Sequence, residues 1–363
     1  MRVLVVNAGS SSLKLRVLDG EDRLVARADL PAVRGEFDGA TAAAALRDLP
    51  EVEAVGHRVV HGGERFGEST RITAEVTEAL RDLTALAPLQ QPAALAGIEL
   101  VSRLRPGTGA VACFDTAFHS TLPAVARTYA LPEDWRRRFG LRRFGFHGLS
   151  HSWAARRARE LLGDGARMLV SCHLGSGASL AAIAGGASID TTMGFTPLEG
   201  LVMGTRSGSV DPGMLLWLQT AGGLDAADVL DALERRSGLL GLCGSADVRE
   251  VLAMAAAGNA SAALARDVYV RSIAASSAAM AAALGGLSAI AFTGGVGENS
   301  AEIREAVCAR LRFLGVEIDG TANRTGSGDR QIGTPAGSAA VLVVASREDR
   351  TIAGEVRRLL VRV

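Results

Sequence analysis

A chain of 363 residues, 48% of them apolar, is long enough for two domains that each bury a core. Its 39 basic and 39 acidic residues cancel, so no global field draws it to nucleic acid or to an anionic membrane, and its expected partners are small molecules. Cys113, Cys172, Cys243 and Cys308 form no C-x-x-C pair, which indicates neither a zinc site nor a disulfide framework and suits a reducing cytoplasm.

In chain order, residues 2–6 predict a β-strand, 7–12 a turn of small residues and 13–18 a second strand. The apolar run at the N-terminus is too short for a secretory signal. The segment HRVVH at 57–61 is strand-like, and Asp115 follows the strand AVACF, at a strand end where open α/β sheets place ligands. A carboxylate there can hold a divalent cation, accept a proton or cap the following helix.

All six histidines, His57, His61, His119, His147, His151 and His173, fall between residues 57 and 173. The pairs 57/61 and 147/151 lack the carboxylate spacing of a zinc helix, and a hydrogen-bonded structural role is the simpler reading for any one of them. His147 is the exception, because Arg142, Arg143, Phe144, Gly145 and Phe146 lead straight into it.

Residues 168–172, 173–179 and 180–184 repeat the strand, turn and strand of the N-terminus, with Asn7 opposite His173, Gly9 opposite Gly175 and Ser10 opposite Ser176. The segment MGFTPLEGLVMGTRSGSVDP at 193–212 is too rich in glycine and proline to be packing alone, and Arg206 in it offers a planar fork for carboxylate or phosphate oxygens. Residues 271–284 predict a buried helix and 288–292 a strand; the uncharged stretch 272–292 is dominated by Ala, Ser and Gly and is not read as a membrane span. A third glycine turn, GGVGEN at 294–299, leads into a helix starting near 300–302, an arrangement that presents N–H groups to a phosphate. Each turn alone could be an ordinary tight turn. Three together, two of them duplicates, favour a nucleotide held between two domains, and since no Walker A loop or full G-x-G-x-x-G is present, ATP is bound another way.

The segments VLVVNAGSSSLKL, GHRVVHGGE, PLQQPAALAGI, FDTAFH, RRFGFHGLSH, HLGSGAS, DTTMGFTPLEGLVMGTRSGSVDP, SGLLGLCGSADVR and FTGGVGENS together resemble the acetokinase family of the actin, sugar kinase and Hsp70 superfamily. The resemblance implies an α/β fold of two duplicated ribonuclease H-like (actin-like ATPase) domains, each a mixed β-sheet flanked by helices, with the active site in the cleft between them. Residues 1–150 would form the acyl-substrate domain, joined by the C-terminal helix, and residues 151–363 the nucleotide domain.

The chemistry implied is reversible transfer of the γ-phosphoryl group of ATP to a short fatty acid, acetate first and propionate or butyrate as the alternative, giving ADP. Magnesium is the implied metal, with manganese able to substitute, and a cytoplasmic homodimer is the implied form. By motif match Arg58 binds the acyl carboxylate, Arg206 and His147 stabilise the transferring phosphoryl group, and Asp115 orients the carboxylate nucleophile. Asn7 and Glu348 would hold the metal, directly or through water. Val60, Leu89, Phe146 and Pro197 would line an alkyl slot, four apolar groups that could equally be core. Ser12, Lys14 and the turn His173, Leu174, Gly175, Ser176 and Gly177 would meet the nucleotide phosphates, and Asp247, Val248, Arg249, Gly295, Val296, Gly297, Glu298 and Asn299 would enclose adenosine.

Gln90 and Gln91 stand where the family usually has His and Asn, Ser176 replaces an Asn, Val248 replaces a larger side chain, and the region 20–55 is shorter than usual. A nucleotide-gated binding protein would keep the glycine turns but have no need of Arg58, Arg206, His147 and Asp115 together. An acyl phosphatase could use the same arginines with water as acceptor; the alkyl slot argues for transfer instead.

Overall fold

Alternating apolar residues at the N-terminus put Val3 and Val5 on one face of a strand and Leu4 and Val6 on the other, and all four are buried. A strand covered on both faces belongs in the middle of a layered sheet. The computed structural model, which describes residues 1–9, 12–32, 36–88 and 90–361, places it there. The chain divides into two units: Met1–Ser120, Phe146–Trp153 and Arg347–Val363 form the first, and Thr121–Gly145 with Ala154–Ser346 form the second.

The first unit holds a six-stranded mixed sheet built from β1 (Val3–Ala8), β2 (Ser12–Leu18), β3 (Leu24–Pro31), β4 (Ala54–Val59), β5 (Thr70–Arg71) and β6 (Gly109–Phe114), in the order β3-β2-β1-β4-β6-β5. β1 pairs antiparallel with β2 and parallel with β4, which pairs parallel with β6. One face, with Leu4, Val6, Leu13, Leu15 and Val17, is covered by the helices Gly39–Asp48 and Gln91–Leu104. The other, with Val3, Val5, Ala54 and Val111, is covered by Ile352, Ala353 and Val356 of the C-terminal helix Glu348–Leu360. That helix reaches the sheet because residue 56 is glycine: a Cβ there would lie 2.3 Å from a methyl group of Ile352.

The second unit repeats the plan. Its strands are β7 (Met168–Leu174), β8 (Ala178–Ala184), β9 (Ala187–Thr191), β10 (Ala289–Thr293), β11 (Arg330–Gln331) and β12 (Ala340–Val343), in the order β11-β12-β10-β7-β8-β9. Read from its other edge this is the order of the first sheet, with β7 antiparallel to β8 and parallel to β10, as β1 is to β2 and β4. The duplicated hairpins differ by one residue: four positions, 9–12, separate the paired Ala8 and Leu13, whereas three, 175–177, separate Leu174 and Ala178. The equivalence of Asn7 with His173 holds for the first strand of each hairpin and slips by one after the turn.

Two elements differ from the sequence expectation. Helix Ala260–Leu284 begins eleven residues earlier than the uncharged stretch suggested, because Asn259 caps it by accepting from the Ala262 amide; it ends where Gly285 adopts φ +72°. The segment Gly294–Asn299 is a short helix of its own, and Ser300 then caps a second helix, Ala301–Arg310. Among the described residues, no helix is long and apolar enough to cross a membrane.

Candidate active site

The carboxyl ends of three parallel strands bring the first constellation together. Val6 lies opposite His57 and Arg58 opposite Cys113, so Asn7 at the end of β1, Arg58 near the end of β4 and Asp115 just past β6 stand side by side. The Arg58 guanidinium donates through Nε to Asp115 Oδ1 at 3.1 Å, through Nη2 to Asp115 Oδ2 at 2.5 Å and through Nη1 to Asn7 Oδ1 at 3.2 Å. Asn7 Nδ2 donates to Glu348 Oε2 at 3.3 Å, and that oxygen lies 3.9 Å from Arg58 Nε. Burial alone would lower the Arg58 pKa, but the Asp115 and Glu348 carboxylates outweigh it and raise the value, so the group is a permanent cation. Two carboxylates against one guanidinium leave the cluster with one surplus negative charge.

His147 is held beside this cluster through the backbone. It has φ +55°, a left-handed conformation that a non-glycine residue adopts only when its surroundings impose it. Both of its neighbours are fixed. The Phe146 carbonyl accepts from His119 Nε2 at 3.0 Å, and the Gly148 amide donates to the Asp115 carbonyl at 2.9 Å. A Cβ at Gly148 would fall 2.2 Å from that same carbonyl oxygen, so only glycine permits the approach. Because a carbonyl only accepts, His119 Nε2 carries the hydrogen.

His57 and His119 serve the fold. Burial pushes His57 down to about 3 and His119 down to about 4, and both are neutral at pH 7. Unfolded, they would titrate at about 6.5, so below that pH the unfolded chain binds more protons than the native one. Their contribution to stability, on the order of 3–5 kcal/mol each, is complete above pH 6.5 and is lost as pH falls toward the folded values. Thermal melts are expected to show Tm dropping steeply between pH 6.5 and about 4. A Tm that stays flat across that window would show that the two rings are not held neutral.

Val60 and Phe146 are buried in the first unit, where His61, next to Val60 in sequence, sets its ring edge-on to Phe146 with centroids 5.4 Å apart. Gln91 Nε2 donates to the carbonyls of His61 and Leu80, both at 3.3 Å, while its buried Oε1 has no partner among the described residues. Pro197 is buried in the second unit, and Leu89 lies outside the described residues. Ser12 opens β2, and Lys14, its side chain exposed, pairs across the hairpin with Asn7; both therefore sit in the first unit.

In the second unit, Arg206 Nη1 donates to the Pro197 carbonyl at 3.1 Å and approaches Met203 Sδ at 3.6 Å. The loop carrying it is braced on both sides. Gly238, at φ +61°, admits the Met203 and Arg206 carbonyls to within 2.2 and 2.7 Å of where a Cβ would stand. At the start of the loop, Arg143 Nη2 pairs with Glu199 Oε1 at 2.7 Å, and Tyr129 donates to Glu199 Oε2 at 2.5 Å while accepting from the Phe195 amide at 2.9 Å. Sequence reasoning missed Tyr129, Arg143 and Glu199 as a unit, because 70 residues separate the tyrosine from its carboxylate.

The second and third glycine turns meet in this unit. The Gly204 amide donates to the Ser176 carbonyl at 3.2 Å, and a Cβ on Gly204 would lie 3.1 Å from the Ala246 carbonyl. Gly294, at φ +79°, packs so closely on β7 that a Cβ would lie 2.7 Å from the Leu174 carbonyl. The segments 173–177, 246–249 and 294–299 thus meet through backbone contacts around Ser176, Gly204 and Leu174. Asp247 caps the helix Val248–Ala256 and pairs with Arg249, whose hydrogen bonds hold the carboxyl down at about 2; Val248 is buried and Arg249 is exposed. The buried Thr293 hydroxyl, at the entry to the 294–299 turn, has no partner among the described residues.

The sequence model of the acetokinase family matches residues 25–354. The acetate kinase of Carboxydothermus hydrogenoformans is 41% identical over 402 residues, covering 99% of this chain and all of that protein. The acetate kinase of Bacillus subtilis is 39% identical over 391 residues, 99% of each chain. Among solved structures, acetate kinase from Porphyromonas gingivalis superposes with a TM-score of 0.89 at 37% identity over 99% of both chains. A propionate kinase from Francisella tularensis does so with a TM-score of 0.91 at 33% identity, covering 99% of this chain and 100% of its own.

Proposed function

Because the chain belongs to the acetokinase family, we propose that it transfers the γ-phosphoryl group of ATP reversibly to acetate, giving acetyl phosphate and ADP. The observation that carries this reading is the cluster of Asn7, Arg58, Asp115 and Glu348 at the carboxyl ends of β1, β4 and β6.

Transfer between a carboxylate and a nucleotide phosphate brings two anions together. Unit charges 4 Å apart at an effective dielectric of 20 repel by about 4 kcal/mol, so both partners must be neutralised first. Arg58, locked in place by Asp115 and Asn7, orients the acetate carboxylate through its remaining N–H groups, and Asp115 fixes the direction of the fork. The acetate is already ionised at pH 7, so no general base is needed. Arg206 takes the charge on the equatorial oxygens of the transferring group, and His147 donates to the same oxygens. A loose transition state needs positioning and charge stabilisation above all, which rigid side chains supply.

Asn7 and Glu348 contribute hard oxygen donors to a cluster with one surplus negative charge, a set that suits magnesium held by one or two protein groups with phosphate oxygens and water, and manganese equally. Bound there, the ion would neutralise phosphate charge. We assign the acyl group to Val60, Leu89, Phe146 and Pro197, and the nucleotide to Ser12, Lys14 and the segments 173–177, 247–249 and 295–299. On that assignment residues 1–150 serve mainly the acyl substrate and 151–363 the nucleotide.

A homodimer is supported by the helix Pro212–Thr220, which buries none of its residues and exposes Met214, Leu216 and Trp217, with Leu224 and Leu230 exposed nearby in sequence. Use of ATP and four free cysteines, Cys113, Cys172, Cys243 and Cys308, fit a cytoplasmic enzyme.

The test is acyl phosphate formation from ATP and magnesium, trapped with hydroxylamine, with acetate, propionate, butyrate or no acid. Acetate is expected to show the highest kcat/KM. One methylene is worth only about 1–3 kcal/mol, so a preference for propionate would keep the reaction and change the substrate. ADP release in the control with no acyl phosphate from any acid would replace transfer with hydrolysis.

A further inference from the structure

Arg304, in the first turn of helix Ala301–Arg310, is one of the largest fully buried side chains, with 1% of its surface exposed. Its partners are all uncharged oxygens. Nε donates to Asn323 Oδ1 at 2.8 Å, Nη2 to the Asn323 carbonyl at 2.7 Å, and Nη1 to the carbonyls of Gly297 at 2.9 Å and Glu298 at 2.8 Å. A buried guanidinium normally sits against a carboxylate, since desolvating an unpaired charge is costly. Here Nε, Nη1 and Nη2 all donate to backbone and amide oxygens, and two of these are carbonyls in the last turn of the short helix Gly294–Asn299, toward its negative end.

The rest of the turn is anchored from other sides. Gly294 packs on the Leu174 carbonyl, Gly297 leaves 3.3 Å between a would-be Cβ and the Phe292 carbonyl carbon, and Glu298 Oε1 accepts from the Ser346 amide at 2.9 Å. Asn323, the other end of the clamp, donates through Nδ2 to the Ala301 carbonyl at 2.9 Å, fixing the start of the next helix. The only glycine of the turn whose Cβ would meet nothing within 4 Å is Gly295. The turn is thus tied down at Gly294, Gly297 and Glu298 and open to solvent at Gly295.

We propose that Arg304 is a positioning residue for the nucleotide site: its guanidinium, clamped between Asn323 and the carbonyls of Gly297 and Glu298, holds the Gly294–Asn299 turn in its binding arrangement before the nucleotide arrives. This rests on the nucleotide assignment of that turn. Preorganisation of this kind favours binding because no segment has to be ordered on association. Lysine keeps the charge but has no fork that can reach Asn323 and both carbonyls together.

The test compares wild type, Arg304→Lys, Asn323→Ala and Gly295→Val by calorimetric titration with ADP, by melting temperature and by steady-state kinetics. Arg304→Lys is expected to weaken ADP binding and raise KM for ATP about tenfold or more, leaving KM for acetate and kcat at saturation within about twofold. Asn323→Ala, which releases only one end of the clamp, is expected to shift the same two quantities in the same direction by less, and it decides the matter if the lysine variant does not fold. ADP affinity unchanged in a folded Arg304→Lys, or KM for ATP and acetate rising together, would overturn the proposal. Gly295→Val probes the underlying assignment. If it leaves ADP binding intact, the turn is not a nucleotide surface and both statements fail; if it abolishes binding while Arg304→Lys does not weaken it, only the role of Arg304 fails.

Discussion

Replacing Arg206 by alanine is expected to lower kcat by about 10³ or more while leaving ATP affinity nearly intact. The side chain donates to the Pro197 carbonyl and approaches Met203 Sδ, and the loop is also supported by backbone bonds such as Met203 amide to Arg206 carbonyl at 3.1 Å. The bracing by Gly238 and by the Arg143, Glu199 and Tyr129 network is untouched. Loss of rate without loss of fold or of ground-state binding is the signature of an interaction made in the transition state. Arg206→Lys keeps a point charge without the fork and should recover only part of the rate. A kcat equal to wild type in Arg206→Ala would remove this residue from the mechanism.

Arg58→Ala is expected to abolish acetate phosphorylation and to destabilise the fold as well. Asp115 is 1% exposed and takes two of the three short hydrogen bonds that Arg58 makes; without the guanidinium, it and Glu348 become two partly buried carboxylates with no cation between them. Breaking a buried pair from one side costs about 3–5 kcal/mol, which melting curves resolve easily. Arg58→Lys separates the two effects. A lysine restores a positive charge and part of the stability, but it cannot donate to both Asp115 oxygens and to Asn7 Oδ1 at once, so kcat/KM for acetate should stay at least about 10²-fold below wild type. Near-normal activity in Arg58→Lys would mean that only charge, and not the direction of the fork, matters at this position.

The lone polar residue at a strand end, the glycine after it and the period of the apolar residues are local signals, and those were legible in the chain. The alternation of Val3 and Val5 with Leu4 and Val6 marks a strand buried on both faces, and the doubled strand, glycine turn and strand at 3–18 and 168–184 marks two copies of one sheet. Asp115 stood out because it lies just past the end of an apolar run; Arg58 and Asn7 were carried by the family resemblance, and the parallel register of β1, β4 and β6 brings all three together.

Other features depend on groups far apart in sequence and could be seen only once the chain was folded. Glu348 reaches Asn7 across 341 positions because Gly56 lets the last helix lie against the sheet. His147 adopts a left-handed backbone because His119 holds the carbonyl before it and Asp115 the amide after it, a conformation that no local propensity favours. Arg304 looks like any other arginine on a helix until Asn323 and the 294–299 turn close around it. Periodicity and turn chemistry are energies between near neighbours in sequence and so fix the elements. The site is fixed by desolvation, close backbone approach and hydrogen bonds between distant segments, energies that come into being only when those segments pack.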